Sequence, residues 1–270
     1  MSIWRSDPTF LTDYFGEVFT STFVLVSSPC DAALTSALLT QAEKARVATF
    51  RRHEDALRHA SGRVVARYAA ALGAQKSPES VTIVTTEGGP RRGQPVSHIG
   101  DLRGPFVSIA HAGDVVAAAA SSVPCGVDVE AESALVALGA NEYAFTRAEL
   151  ASLSTSTSPG EMTRWWTAKE AVAKAVGTGF LSSATAPGCM DGRADTVSVS
   201  GCTWRLTDVP VPAGYRAVLA LPGWSSSPVE SYVCDIAYLS SLDSVSFSDV
   251  VASTGSSRVC SVGEDRAVKW

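Results

Sequence analysis

Two carboxylates, Asp128 and Glu130, stand two positions apart in the segment GVDVE that starts at Gly126. Alternate residues of a strand point to the same side, so both carboxylates face one way while the two valines face the core. Carboxylate oxygens side by side are ligands that Mg²⁺ prefers, above all when phosphate oxygens complete its coordination. The segment therefore indicates a magnesium site. A strand end with a solvated acidic face fits the same pattern.

A further pair of opposite charges, Glu170 and Lys174, stands four positions apart in the segment WWTAKEAVAK. Residues at this spacing share one face of a helix, and an exposed pair of this kind is common and worth only about 0.3–0.5 kcal/mol. A second interpretation makes Glu170 a third carboxylate beside Asp128 and Glu130. Lys174 would then neutralise charge on a transferring phosphoryl group.

Positive charge is concentrated upstream of these carboxylates. The stretch from Glu43 to Arg67 has seven basic residues against three acidic ones, in a chain whose formal net charge is −5. The basic residues are Lys44, Arg46, Arg51, Arg52, Arg58, Arg63 and Arg67. A solvated helix face is the usual meaning of such a run, but in an acidic protein it also suits a polyanionic small molecule. His111, which follows the apolar stretch FVSIA, fits either a hydrogen-bonded turn or a contact to a ligand phosphate.

The composition excludes several classes of protein. Of the 270 residues, 46% are hydrophobic and 18% are charged, which excludes an intrinsically disordered chain. The net negative charge gives no indication of nucleic-acid binding. The longest unbroken apolar run, Val115–Ala120, is far shorter than the ~20 residues of a membrane helix, and the N-terminus lacks the apolar core of a signal peptide. We therefore expect a cytoplasmic protein that acts without a membrane or nucleic acid.

The elements that must position these residues follow from hydrophobic periodicity. We expect helices over 32–46, from Glu54 to Leu72, and over 144–153 and 161–176. We expect strands over 22–28, 80–85, 106–110, 115–120, 195–200, 202–207 and 215–221, with apolar runs at 123–129 and 232–239 and a turn-rich stretch over 87–104. This order fits an α+β fold with two lobes, 1–124 and 125–242, followed by a serine-rich, weakly ordered tail over 243–270.

Together the motifs resemble a known family. GVDVE followed by WWTAKEAVAK and GTGF is similar to the paired signature of the Sfp-type 4′-phosphopantetheinyl transferases. FRRHEDALRHASGRVVAR resembles the helix of the family's N-terminal lobe, GGPRRGQPV its G-x-P loop, and VSIAHAGD its S-H-[ST]-G turn. The resemblance extends over about residues 40–222, with five motifs in register. The family serine before the histidine is Ala110 here, and the basic residue of the G-[KR]-P loop is Gln94.

The resemblance implies a fold and a reaction. The fold would be two similar α+β lobes, each a small antiparallel sheet with helices, related by pseudo-twofold symmetry around a coenzyme A cleft. The enzyme would transfer 4′-phosphopantetheine from coenzyme A to a serine of an acyl or peptidyl carrier protein and release 3′,5′-ADP. Such carriers belong to fatty-acid, polyketide and nonribosomal peptide synthases, and we expect a monomer that serves secondary metabolism.

The resemblance also implies roles for individual residues. Asp128, Glu130 and Glu170 would bind Mg²⁺, Glu170 would take the proton of the carrier serine, and Lys174 would stabilise the developing charge. The residues expected to contact coenzyme A are Lys44, Arg46, Arg51, Arg58, Arg91, Arg92, Gln94, His111, Lys169 and Lys174. Three alternatives stay open: a coenzyme A-binding scaffold without turnover, a metal-dependent phosphohydrolase that uses the same carboxylates, and a structural protein with coincidental motifs.

Overall fold

The computed structural model describes residues 19–89, 91–133, 145–152, 157–177, 195–199, 201–234 and 258–259. The helices of the described residues are α1 (Ala32–Leu38), α2 (Gln41–Val47), α3 (His53–Ala74), α4 (Arg147–Ser152) and α5 (Pro159–Val176). The strands are β1 (Thr22–Ser27), β2 (Val81–Thr85), β3 (Pro95–Ile99), β4 (Leu102–Arg103), β5 (Phe106–Ala112), β6 (Val115–Ser121), β7 (Gly126–Ala131), β8 (Thr196–Val199), β9 (Cys202–Asp208), β10 (Tyr215–Pro222), β11 (Val229–Val233) and β12 (Arg258–Val259). The α+β class predicted from the sequence is confirmed.

The first sheet has the strand order β12-β11-β1-β6-β5. β1 lies parallel to β11 and antiparallel to β6, and β5 pairs antiparallel with β6. The apolar and β-branched sequence of β1 suits a central strand, because its side chains are buried on both faces. Leu25 faces α3, whose Val64 and Val65 pack in the same core. Val24 and Val26 point to the opposite face, as the two-residue repeat of a strand requires.

The second sheet is antiparallel, with the order β7-β10-β9-β8, and α5 covers its outer face. Val218 and Ala220 of β10 pack against Trp165 and Val172 of α5. On the inner face, Leu219 and the β7 valines pack against the inner face of the first sheet in one shared core. The described chain is therefore layered as α3, first sheet, second sheet and α5.

The sequence sets both ends of α5. Ser158 caps its first turn: the Ser158 hydroxyl accepts from the Glu161 amide, while the Glu161 carboxylate accepts from the Ser158 amide. Pro159 occupies the first turn, where its missing N–H costs nothing. Gly177 ends the helix in the left-handed conformation, at φ 79°.

Edge strands β5 and β7 bring the two sheets together. The Val127 amide donates to the Ser108 hydroxyl over 3.0 Å. Behind β7, the backbone of α5 comes so close that a Cβ on Gly126 would lie 1.9 Å from the Ala171 carbonyl oxygen. Only glycine fits such an approach, so the first residue of GVDVE fixes how tightly α5 lies on β7.

The structure differs from the sequence expectations in three places. The helix expected over 32–46 is two helices, because Thr40 caps α2 through a capping box with Glu43. The turn-rich stretch 87–104 contains β3 and β4, which pair with β2 in a third small sheet. β11 lies within the expected second lobe, 125–242, but pairs with β1 in the first sheet.

The expected tail and the expected absence of a membrane helix concern different parts of the chain. Apart from residues 258–259, the tail over 243–270 lies outside the described residues, and so do residues 1–18. No described helix combines the length and apolar character that crossing a membrane requires.

The close approach at Gly126 gives a first prediction. Gly126→Ala should lower the free energy of unfolding by about 1–3 kcal/mol or more, because the added methyl group must push the α5 backbone away. Gly88→Ala is the matched control, since nothing lies within 4 Å of a Cβ at that position. Urea unfolding of both variants measures the difference. Equal stability of the two would show that α5 does not approach β7 as described.

Candidate functional site

The site begins where α5 crosses β7. Asp128 is buried, and the Lys174 ammonium donates to its Oδ1 over 2.7 Å. The same ammonium donates to the Ile109 carbonyl oxygen of β5 over 3.2 Å. Lys174 therefore joins β5, β7 and α5 at one point. The main ionic partner of Lys174 is therefore Asp128, and the solvated i,i+4 pair with Glu170 is not its main contact.

Glu130 lies one strand repeat further along β7. Its Oε1 accepts a hydrogen bond from the Trp166 indole over 3.2 Å. On α5, Glu170 and Lys174 follow Trp166 by four and eight residues, so the three side chains share one face of the helix. That face brings Glu170 towards the two carboxylates of β7.

Burial raises the pKa of all three carboxylates, and the charge of Asp128 adds to this at the two glutamates. Burial, followed by the negative charge of Asp128, raises the pKa of Glu130 and of Glu170 to about 7. Burial also raises the pKa of Asp128, against the opposing effect of Lys174. The desolvation of these carboxylates therefore outweighs the stabilisation of their charged forms by Lys174.

The donor set fits a divalent cation. Within the described residues, Asp128 Oδ2 is buried and has no hydrogen-bond partner. A buried carboxylate oxygen without a partner is costly, and a hard cation bound by oxygens would satisfy it. As the side chains stand, no group of three or more His, Cys, Asp and Glu residues in the described part of the chain is arranged to hold a metal ion. Lys174 and Trp166 instead hold Asp128 Oδ1 and Glu130 Oε1.

A cavity of about 260 Å³ opens beside Asp128 and Lys174. Its lining residues are His59, Arg63, Gly93, Pro95, Ile109, Ala110, His111, Asp128 and Lys174. They come from α3, β5, β7, α5 and the chain before and at the start of β3, so the cavity lies where both sheets and both long helices meet. One carboxylate faces several cationic or titratable nitrogen groups across it.

Arg63 is the buried cation of this cavity. Its Nη2 donates to the Thr85 hydroxyl over 2.6 Å, while its Nη1 is buried without a hydrogen-bond partner among the described residues. Desolvation at the cavity wall, with the charge of Lys174, lowers the pKa of His111. Burial, with the charges of Arg63 and Arg46, lowers the pKa of His59 to about 4. The unsatisfied Arg63 nitrogen, the Lys174 ammonium and the N–H groups of the two imidazoles are suited to an anion such as phosphate.

Two of the expected basic residues lie near the cavity. The Arg46 guanidinium lies 5.1 Å from the centre of the Phe50 ring, and that ring packs on His59 at 5.0 Å. Arg58 pairs with Asp55 and donates to the Gly113 carbonyl oxygen, in the turn that follows His111.

The remaining residues expected to bind coenzyme A, all of which the structure describes, do not line the cavity. Lys44, Arg51 and Arg92 are not among the cavity-lining residues that the structure describes. Arg91 and Gln94 lie against the end of α5, where a Cβ on Gly177 would meet Gln94 Oε1 at 3.0 Å.

Lys169 is buried away from the cavity lining. It pairs with the buried Glu149 of α4 over 2.7 Å, so its ammonium has a structural partner.

The structure brings three residues to the site that are not among the predicted site residues. Arg63 belongs to the basic stretch of α3, while His59 and Trp166 lie close to predicted residues in sequence. Spacing contains the signal in each case. Trp166 stands four residues before Glu170 and so shares a helix face with a predicted site residue, while His59 and Arg63 stand four apart on α3 and share a face with each other.

A larger cavity, of about 560 Å³, lies between the start of α5 and the chain joining β9 to β10. No residue expected to bind metal or coenzyme A lines it. Its charged side chains pair with one another, Arg216 with Glu132 and Arg164 with Asp208. The smaller cavity, with its unsatisfied charges, is therefore the candidate site.

The raised pKa values predict a pH-dependent stability without metal. A carboxyl group whose pKa is higher in the folded state stabilises the fold only while it is protonated. The stability that Glu170 contributes is therefore lost as pH rises from about 4.5 to about 7. Relative to the wild type, Glu170→Gln should therefore gain about 1–3 kcal/mol between pH 5 and pH 8. Thermal unfolding in EDTA measures this gain. Glu87→Gln, at an exposed carboxylate, is the control, and the same flat profile for both would remove Glu170 from the charged cluster.

Comparison with known proteins finds a match to a family model over this part of the chain. No curated protein matches the chain. A family model matches residues 124–220, about a third of the chain, which contain β7, α5 and the four charged side chains at their crossing. Over these residues the chain matches the 4′-phosphopantetheinyl transferase superfamily, whose members use coenzyme A as substrate and act on carrier proteins, and this match supports a transferase activity.

Proposed function

We propose that the protein is a 4′-phosphopantetheinyl transferase of the Sfp type. It transfers 4′-phosphopantetheine from coenzyme A to a serine of an acyl or peptidyl carrier protein and releases 3′,5′-ADP. One observation carries the proposal: the buried Arg63 and Asp128 with Lys174 line one cavity, beside the carboxylates of β7 and α5. The cationic part suits the phosphates of coenzyme A, and the carboxylate part suits a metal ion and a proton acceptor.

The layered fold supports a two-lobe description of the enzyme. α3 lies on the outer face of the first sheet and α5 on the outer face of the second. We propose that these two units are the lobes 1–124 and 125–242, related by pseudo-twofold symmetry, with β11 returning to the first sheet. The enzyme acts as a monomer, because both units of one chain line the cavity.

Magnesium fits the carboxylate part of the site. Asp128, Glu130 and Glu170 are the residues that would hold it, and the unpartnered Asp128 Oδ2 is the observation that favours a cation there. When bound, Mg²⁺ would neutralise the negative charge of the pyrophosphate during transfer.

The chain's own residues supply binding and proton transfer. Arg63, with His111 and His59, holds the phosphates of coenzyme A in the cavity, and Arg46 adds positive charge near it. Glu170 accepts the proton of the carrier serine, a role suited to a carboxyl group whose pKa burial and neighbouring charge raise to about 7. As the serine oxygen bonds to the β-phosphorus, the bond from that phosphorus to the oxygen of the departing 3′,5′-ADP breaks. Lys174 offsets negative charge at this point.

Transfer to a carrier is the direct test of the function. A panel of apo carrier domains from fatty-acid, polyketide and nonribosomal peptide synthases is incubated with coenzyme A and Mg²⁺ and examined by mass spectrometry. The wild type should modify at least one carrier, and Glu170→Gln should reduce the rate by about 10²–10⁴ because the proton acceptor is lost. Glu87→Gln, at an exposed carboxylate away from the cavity lining, should retain the rate.

The same assay separates the alternatives. Hydrolysis of coenzyme A without carrier modification would identify a phosphohydrolase. Binding of coenzyme A without any turnover would identify a scaffold. Either outcome would contradict the transferase proposal.

The role of Arg63 predicts a loss of coenzyme A affinity. Arg63→Met removes the guanidinium that has an unpartnered buried nitrogen, and charge-assisted phosphate contacts are worth about 1.5–3 kcal/mol. Coenzyme A should therefore bind about 10- to 100-fold more weakly, as measured by calorimetry. Arg52→Met, at an exposed arginine that does not line the cavity, is the control. Unchanged affinity in Arg63→Met would assign the phosphates to another surface.

A further inference from the structure

Trp166 connects α5 to the carboxylate that ends the GVDVE segment. Its indole Nε1 donates to Glu130 Oε1 over 3.2 Å. Eight residues further along α5, Lys174 donates to Asp128 Oδ1 over 2.7 Å. The same helix face thus holds one oxygen of each β7 carboxylate, with Glu170 between the two contacts.

The Phe145 ring packs against Trp166, and charged neighbours hold the segment that carries Phe145. The buried Phe145 ring meets it edge to face, with the ring centres 6.4 Å apart and the planes at 73°. Phe145 directly precedes Thr146, which caps the turn that carries Glu149. Glu149 in turn forms the buried ion pair with Lys169 of α5. This support comes from the described segment 145–152, which does not line the cavity.

We propose that Trp166 is a positioning residue for the metal site. By holding Glu130 Oε1, its N–H fixes the carboxylate in one orientation and leaves the second oxygen available for the cation. A glutamate side chain loses rotational freedom when it becomes a ligand, and a preformed hydrogen bond supplies part of that ordering in advance. Groups that orient metal ligands typically change metal affinity by 10- to 100-fold when they are lost. The inference rests on the magnesium site of the proposed function.

Trp165 offers a matched control one residue away. Its ring is buried and packs on the same Phe145, with the ring centres 5.6 Å apart. Its indole nitrogen, however, is buried with no hydrogen-bond partner among the described residues. Trp165→Phe therefore removes an N–H group without an acceptor in the described part of the chain, whereas Trp166→Phe removes the one that donates to Glu130.

The experiment measures binding of the metal alone. Mn²⁺ is titrated into the metal-free full chain, and free Mn²⁺ is followed by electron paramagnetic resonance. Trp166→Phe should bind Mn²⁺ about 10- to 100-fold more weakly than the wild type, while Trp165→Phe stays within about 3-fold. In the transfer assay, Trp166→Phe should need a correspondingly higher Mg²⁺ concentration yet recover its turnover at saturating Mg²⁺.

The outcomes separate this inference from the function on which it rests. Equal Mn²⁺ affinity for Trp166→Phe and the wild type would overturn the role of Trp166 and leave the metal site intact. A wild type that binds no Mn²⁺ would overturn both. Recovery of turnover at high Mg²⁺ excludes a merely structural role, because a damaged fold is not restored by metal in this way.

A measurement on the wild type applies if Trp166→Phe does not fold. The ¹⁵N–¹H resonance of the Trp166 indole, assigned by sequential triple-resonance spectroscopy, should shift during a Mg²⁺ titration because its acceptor becomes a metal ligand. The Trp165 indole resonance should move less. A Trp166 resonance that stays in place while Mg²⁺ binds would contradict the inference.

Discussion

The rest of the site depends on how closely α5 lies on β7. Gly126 has no side chain, and this lets the backbone of α5 come within contact of the strand, beside the Ala171 carbonyl oxygen. At that distance, side chains eight residues apart on one face of the helix reach alternate residues of the strand. Lys174 meets Asp128, and Trp166 meets Glu130. A helix held further away would leave Asp128 and Glu130 without these partners.

This approach has an electrostatic consequence. Three carboxylates come together in a partly buried place, and burial with mutual repulsion raises the pKa of two of them to about 7. The protein tolerates the arrangement because Lys174 and the Trp166 indole hold two of the oxygens, while one oxygen of Asp128 stays buried without a partner within the described chain. On the other side of the cavity, Arg63 likewise keeps a buried nitrogen unsatisfied. A ligand that brings a cation to one side and phosphates to the other would satisfy both groups at once.

Residues of the same type serve different purposes in this fold. Arg63 and Arg67 stand four apart on α3, yet Arg67 is fully buried and binds Glu43 and the Val81 carbonyl oxygen, so it ties α2 and β2 to α3. Lys169 and Lys174 both lie on α5, yet Lys169 is closed off by Glu149. Arg63 and Arg67 share one face of α3 but lie a turn apart, so different elements pack against them. Lys169 and Lys174 lie on different faces of α5 and therefore meet different partners. A basic residue is therefore available to bind a ligand only where its side chain lines a cavity.

Local pattern determined much of this protein in advance. The two-residue repeat of GVDVE placed Asp128 and Glu130 on one side of a strand, and the four-residue spacing placed Glu170 and Lys174 on one side of a helix, because both periods are properties of the backbone itself. Most helices and strands, and the α+β class, followed from the same periodicity. The pairing of the strands, and the choice of cations that line the cavity, could not be predicted from it. β11 joins β1 across about 200 residues of chain, and Arg63, His59 and Trp166 meet their partners only through packing of separate elements. Such contacts depend on distance in space, which the spacing of residues along a chain does not contain, so only the tertiary structure decided them.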